Sequence, residues 1–443
     1  MQPSAAAARS VLSRRVAAVS TLAVIAIAGG ATGLAVAHVH GTRATAVISR
    51  NANGPSSGGA FSQDGRRVTY YAFTSAASNL VGGDTNNALD VFVLRRNGLG
   101  GPIERVSVGD GGRQANGPSS SPSVDGMTDR RPHCVAFQSN ATNLDPRDTS
   151  PDSDVFVRDL GRGRTTLVSV GATDAIHPSI DGACRLVAYE AGGTVYVADM
   201  ATDAQYPIAQ GGSPDQETDG RGVAYVRAGQ VWYQRYARTS HGIAKRGPER
   251  LVSEGAQGPG NGASGRPSVS ANGDYIAFES TATNLCEGLC RGVSSDRNGP
   301  VSDVYRRTMS GSAPTHDRME MASFSRGAHA QGNGPSNDPV ISSAGQFIVF
   351  DSAATNLRPT SAIQHGDPNG PTRDVFLWNF PPGRGYGNVS RESRPGRKGA
   401  FMAPSVAPAL SAHGNYVAFT CTAGGRAARG GIPNVFMRFL GGA

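Results

Sequence analysis

Lysine is nearly missing from this chain. Among 443 residues it occurs at Lys245 and Lys398 alone, although lysine and arginine together number 42. Beside so much alanine and glycine, that usage is the imprint of a GC-rich coding sequence. It accounts for a formal net charge of +8 without a polyanionic partner. Runs of basic residues interleaved with aromatics are also missing, so no nucleic-acid surface is expected. Cysteine is scarce, at five residues, and no second Cys or His pair stands at zinc-ligand spacing, so no metal ligands are assigned. Beyond residue 37 there is no apolar run of bilayer-spanning length, which confines any membrane contact to the N-terminus.

The first 37 residues are built differently from the rest. Arg9, Arg14 and Arg15 precede an uncharged apolar stretch from Val16 to Ala37. It ends in Ala35-Val36-Ala37, where Ala35 and Ala37 form the small-x-small motif of a signal-peptidase site. Residues 1–37 therefore read as a signal peptide or, because the stretch is long enough to cross a bilayer, as an N-terminal membrane anchor. Either reading places the remainder outside the cytoplasm, secreted or associated with the cell envelope, with 38–43 as a linker. In that oxidising setting Cys286 and Cys290, four apart, read as a local disulfide. Cys134 and Cys184 precede the aromatic pairs of consecutive repeats and could lie on adjacent sheets, which would leave Cys421 as a buried free thiol.

What the chain has in abundance is a repeat. Ala72-Phe73, Ala136-Phe137, Ala188-Tyr189, Ala224-Tyr225, Ala277-Phe278, Val349-Phe350 and Ala418-Phe419 are each followed by a short Val-aromatic segment. Those segments begin at Asp90, Asp154, Thr194, Gln230, Asp303, Asp374 and Asn434. Ahead of the aromatic pairs stand turn dipeptides such as Asp64-Gly65, Asp125-Gly126 and Asn272-Gly273, which favour tight hairpins because they tolerate positive φ. Val-Ser-rich runs, among them Glu104 to Val108 and Thr166 to Val170, supply a fourth strand. With 59 Gly and 27 Pro spread between short Val/Phe/Tyr runs, the pattern is that of many short strands joined by turns.

In Asp90-Val91-Phe92-Val93 and Asp154-Val155-Phe156-Val157 successive side chains point to opposite faces, yet both faces are apolar. Such strands need cover on two sides, which radially stacked sheets provide. The last unit lacks a fourth strand, and residues 44–49 precede Asn53-Gly54-Pro55-Ser56 just as Arg105-Val106-Ser107 precedes Asn116-Gly117-Pro118-Ser119. The N-terminal strand is therefore expected to complete the last blade and leave no open edge. The expected fold is an all-β, seven-bladed β-propeller of four-stranded antiparallel blades over residues 44–443, in preference to six or eight blades.

Segments such as Ser123-Val124-Asp125-Gly126, Val135-Ala136-Phe137 and Asp154-Val155-Phe156-Val157-Arg158-Asp159 resemble the WD40-like (PD40) repeats of the TolB-like propeller superfamily, over about residues 44–440. The resemblance implies the fold. It departs from the family in its long loops and in having no TolB-type N-terminal domain, so a TolB-like role in outer-membrane translocation is not implied.

The spacing between second and third strands is long in blades one, two, five, six and seven and short in three and four. Inserted material therefore decorates one face and leaves a low sector, which reads as a cleft for binding. Asp84, Asn86, Asp148, Asp152, Asp296, Asn298, Asp367 and Asn369 in these loops partly resemble a calcium loop, but they lack its full pattern and closing Glu, and Asp and Asn also build turns. The Asn-Gly-Pro-Ser elements at Asn53, Asn116 and Asn333, with Asn261-Gly-Ala-Ser264, read as connectors. Gly54-Pro-Ser56-Ser-Gly58 matches a nucleophile elbow by chance, without the strand-turn-helix it needs. His177 is the one histidine placed on a channel-lining strand, and it reads as a packed polar residue. No catalytic or cofactor-binding residue is assigned. The leading expectation is a monomeric, exported, non-enzymatic scaffold that binds a protein or cell-envelope partner through its long-loop face. A polysaccharide hydrolase or lyase and a calcium-stabilised adhesin-like module are the alternatives.

Overall fold

Side chains that are apolar on both strand faces are satisfied by stacking sheet against sheet, and the computed structural model does this seven times around a ring. It describes residues 44–441 except 288, 291–292, 294, 310–318, 326–329, 358–366, 381–386, 396–400, 424–427 and 429. The segment 1–37, with Ala35 and Ala37, and the linker 38–43 lie outside the described residues.

Each blade is a four-stranded antiparallel sheet. Blade one comprises Ser56–Phe61, Tyr70–Ser75, Asp90–Arg95 and Ile103–Arg105; blade two, Ser119–Val124, Cys134–Ser139, Asp154–Asp159 and Arg164–Leu167. Blades three and four open with Ile176–Ile180 and Gly212–Gln216, and blades five and six with Ser264–Val269 and Ser336–Ile341. Blade seven takes Ser405–Leu410, Tyr416–Cys421 and Asn434–Phe439 from the end of the chain and Ala44–Val47 from its other side. The closing register pairs Ala44 with Phe439 and Val47 with Phe436. A wholly buried ion pair, Arg438 Nε to Glu392 Oε2 at 2.8 Å, reinforces this closure. Arg438 Nη1 also donates to Thr45 Oγ1 at 2.9 Å, which in turn donates to the Arg394 carbonyl.

Alternation along the third strands divides the core as expected. In blade one Val91 and Val93 pack with Phe137 and Phe156 of blade two, while Phe92 and Leu94 pack with Val435 and Met437 of blade seven. In six blades the two repeat aromatics stack, with centroids 5.8 Å apart for Phe73 and Phe92 and 5.9 Å for Phe137 and Phe156, while in blade four Arg227 lies 4.1 Å over the Trp232 ring.

Two features differ from the sequence expectation. The Val-Ser dipeptides assigned to fourth strands lie just past them: Val106-Ser107 follows a strand ending at Arg105, and Val168-Ser169 one ending at Leu167. Regular strand pairing ends there because the serine hydroxyl, not a backbone carbonyl, takes up the backbone N–H of Val91 or Val155. Every first strand also carries a bulge at a residue of positive φ, namely Gly58, Ser121, His177, Ser213, Arg266, Asp338 and Ala407. Six of these precede proline, whose ring keeps the preceding residue out of the right-handed helical region. The bulge shifts register and bends the strand.

Candidate functional site

The second-to-third-strand loops and the blade-to-blade connectors share one face, where they are clamped together in four blades by one arrangement. In blade one the Asn53 amide N–H donates to Asn79 Oδ1 at 2.9 Å, Asn53 Nδ2 donates to Ser78 Oγ, and Ser78 N donates back to Asn53 Oδ1. The same reciprocal set joins Asn116 to Asn143 and Thr142, Asn261 to Asn284 and Thr283, and Asn333 to Asn356 and Thr355. The Asn-Gly-Pro-Ser connectors thus hold the loop bases. Their partners belong to a Ser-x-Ala-Ser/Thr-Asn-Leu segment that the sequence repeats at Ser75, Ser139, Ser280 and Ser352.

The far end of each loop is held by a buried acid. Asp90, Asp154, Asp303 and Asp374 begin the third strands and accept from Ser107, Ser169, Ser323 and Ser393. Each serine also receives the next backbone N–H of the third strand. Burial pushes Asp303 up to about 7 and Asp154 up to about 6, against the opposing pull of these hydroxyls.

The Asp and Asn residues with calcium-loop character have partners within the chain in three blades. Arg105 Nη1 lies 3.0 Å from Asp84 Oδ1 and 3.4 Å from Asp90 Oδ2. Arg391 Nη1 bridges Asp367 and Asp374 at 2.8 Å each. Gln331 Nε2 bridges Asp296 and Asp303 at 2.8 and 2.6 Å. In blade two Leu167 stands where Arg105 stands in blade one. There Asp148 and Asp152 instead raise the pKa of Asp154 by like-charge repulsion, beneath the larger effect of burial.

Blades three and four have two-residue turns at this position, Gly192–Gly193 and Ala228–Gly229. The long-loop face carries both large apolar side chains that are exposed among the described residues, Val170 and Met402, each in a blade-to-blade connector. A cavity of about 480 Å³ opens there, lined by Val293, Arg297 and Asn298 of the blade-five loop and by Phe324, Gln331 and Asn333 of the next connector. It lies beside blade five and not over the bare sector. Within the blade-five loop Cys286 and Cys290 are disulfide-bonded.

The central throat, about 250 Å³, is lined by first-strand residues of all seven blades. His177 is not among them: its side chain is 47% exposed at the bulge, with Nδ1 3.2 Å from Glu190 Oε2. The bulge turns this residue outward, which corrects its placement on the channel wall. Asp215 occupies the throat instead, in the position held by Ser123, Ser179 and Ser268 in other blades. These side chains accept N–H groups from the following blade: Ile180 to Ser123, Gln216 to Ser179, Val269 to Asp215 and Ile341 to Ser268. The polar lining therefore ties blade to blade, and burial pushes Asp215 up to about 6. Asp215 is the one carboxylate lining the throat among the described residues. Ser56, the apparent elbow serine, is buried against Ser75 Oγ at 2.7 Å and serves the loop base.

No protein-family model and no curated protein matches the chain. Among solved structures it is similar to TolB from Acinetobacter baumannii, at 13% identity and a TM-score of 0.34, over 65% of this chain and 59% of that one. The chain thus spans under two thirds of TolB's length. It is also similar to an oligogalacturonate lyase in complex with manganese, at 10% identity and a TM-score of 0.49, over 91% of this chain and 97% of that one. The β-propeller domain of the trilobed protease from Pyrococcus furiosus follows at 13% identity and a TM-score of 0.42, covering 72% and 80%. Likeness at this level bears on fold alone, and the seven blades establish the propeller on their own.

Proposed function

We propose that this protein is an exported, non-enzymatic propeller scaffold that binds a protein or cell-envelope component through its long-loop face. The observation that carries the reading is the repeated Asn clamp. Four blades fix the bases of their long loops by one hydrogen-bond set on one face. Loops presented on a rigid ring are a common site of recognition, and clamping reduces the entropy lost when they bind. Both large apolar side chains exposed among the described residues, Val170 and Met402, lie on the same face. The disulfides suit an oxidising extracytoplasmic setting. The serines of the throat are engaged in blade-to-blade bonds, and Asp215 has no second throat carboxylate to pair with for glycoside hydrolysis among the described residues.

The test is affinity capture from a cell-envelope fraction on residues 38–443, compared with a variant shortened at 281–300 and 353–371. The reading expects a component held by the parent and lost by the variant while the variant's melt stays cooperative. Capture that is indifferent to the loops, or turnover of a glycan panel, would overturn it.

A further inference from the structure

The tight-turn face holds a second constellation, independent of the loop face. Asp125, in the turn between the first two strands of blade two, is fully buried. Its Oδ1 accepts the N–H groups of His133 and Cys134, each at 2.9 Å, which fixes the carboxylate. Its Oδ2 has no hydrogen-bond partner and lies 3.2 Å from His133 Nδ1. Cys134 is disulfide-bonded to Cys184 in the corresponding turn of blade three, with Cα atoms 6.0 Å apart. The ligand atoms of Asp125, His133, Cys134 and Cys184 all lie within 4.8 Å of one another.

We propose that reduction of the Cys134–Cys184 cystine converts this cluster into a tetrahedral site for one Zn²⁺ ion, held by both thiolates, His133 Nδ1 and Asp125 Oδ2. Two sulfurs, one imidazole nitrogen and one carboxylate oxygen form a donor set suited to zinc. With Zn–S near ~2.3 Å and Zn–N near ~2.0–2.1 Å, tetrahedral ligands lie about 3.3–3.8 Å apart. The sulfurs must therefore separate once their bond is broken, and the widest pair must close by about 1 Å. The ion would also give the buried Asp125 Oδ2, which accepts no hydrogen bond, a direct positively charged partner. Access is provided by His133, whose side chain is 38% exposed, and by the half-buried Cys184. Linear spacing hides the set because its ligands come from the turns of two blades.

The chemistry balances with a dithiol reductant. Two electrons pass to the cystine, the Cys134–Cys184 bond breaks, two thiols form, and the reductant closes its own disulfide. Zinc then displaces one proton from each thiol into solvent. Reoxidation by a disulfide reverses the sequence and releases the ion. The cluster is thus a zinc site opened and closed by the redox state of a link between blades two and three.

The test uses the mature chain, reduced with a phosphine that is then removed, and titrated with Co²⁺ and then Zn²⁺ without oxygen. A thiolate-to-cobalt charge-transfer band should saturate at one equivalent and be discharged by Zn²⁺, and the oxidised protein should give no band. Cys134→Ser and Cys184→Ser should abolish it, and His133→Ala should weaken apparent affinity by roughly 100-fold, the upper end of the loss caused by removing even an outer-shell partner. Cys286→Ser should leave the band unchanged. Circular dichroism guards against loss of fold. If the reduced, metal-free chain unravels, zinc should restore the native spectrum of the parent but not of His133→Ala. No band, a band surviving in Cys184→Ser, or parental affinity in His133→Ala would overturn the proposal.

Discussion

Blades one, two, five and six differ from blades three and four most clearly between the second and third strands, although blade four also extends its outer hairpin to two ten-residue strands. Their cores are alike: Phe137 stacks on Phe156 at 5.9 Å in blade two, and Tyr189 on Tyr196 at 5.5 Å in blade three. Between the second and third strands, however, the first group inserts long clamped loops, while the second closes with Gly192–Gly193 or Ala228–Gly229. The buried acid follows the loop. Where the loop is long, an Asp leads the third strand and is held by a serine in blades one, two, five and six, and in blade seven Asn434 takes the place and accepts from Ser49. Where it is short, Thr194 or Gln230 takes the place, with Thr194 Oγ1 accepting from Gln210 near the surface. The costly buried carboxyl therefore belongs to loop anchoring and not to the blade, and the ring is a common frame on which one face was elaborated.

The strongest challenge to that comparison is to open the ring. If both sectors share one closed core, a chain starting after residue 50 loses the Ala44–Val47 pairing and the Thr45–Arg438 contact and should melt far lower and less cooperatively. An unchanged melt would mean the blades stand independently. A cavity in either sector should cost alike: Phe137→Ala and Tyr225→Ala, both fully buried, are each expected to lose about 3–5 kcal/mol in denaturant titrations. A much smaller loss in blade four would show that the bare sector is packed differently.

Removing the serine that holds a buried acid should loosen the long loop ending at that acid. Ser169→Ala leaves the Val155 N–H and the Asp154 carboxyl without their shared partner, at a cost of about 1–3 kcal/mol. Asn143→Ala, at the exposed clamp, should cost about 1 kcal/mol or less while raising amide exchange across 140–153. Global loss of protection in the Asn variant would contradict a local role. The smallest effect is on pH dependence. Asp125, Asp303 and Asp351 are pushed up to about 7, and Asp154 and Asp215 to about 6, mainly by burial. The folded state then binds more protons than the unfolded one between about pH 4 and 7. These groups therefore stabilise fully below their unfolded values, and that stability fades as pH rises through the folded ones. The melting temperature should rise modestly as pH falls from about 7.5 toward 5, and Asp303→Asn should flatten the slope.

The fold was legible because its repeat recurs seven times and the strand count left one vacancy that only residues 44–49 could fill. The site was less legible, for reasons of register. In blade four Glu217, not Asp219, makes the turn contact that Asp125 and Asp181 make, since their N–H groups bond to Gly222, Cys134 and Leu186 carbonyls. Aligning on Asp219-Gly220 is off by two residues and conceals Asp215 at the throat. His177 was misplaced because a bulge reverses the direction its strand position implies. The Asn clamps were only half legible: the Asn-Gly dipeptides mark the connectors as turns, but hydrogen bonds between distant segments leave no spacing signature that pairs them with their partners in the loops.

Methionine footprinting tests the central claim most directly, since each face carries a reporter. Met402, 66% exposed, sits on the long-loop face beside Phe401, whose carbonyl accepts from Asn369 of the blade-six loop. Met200, half-buried, follows the third strand of blade three on the tight-turn face. With a captured envelope component bound, oxidation of Met402 should fall several-fold while that of Met200 is unchanged. Protection of Met200 with Met402 still reactive would put the partner on the opposite face and contradict the account.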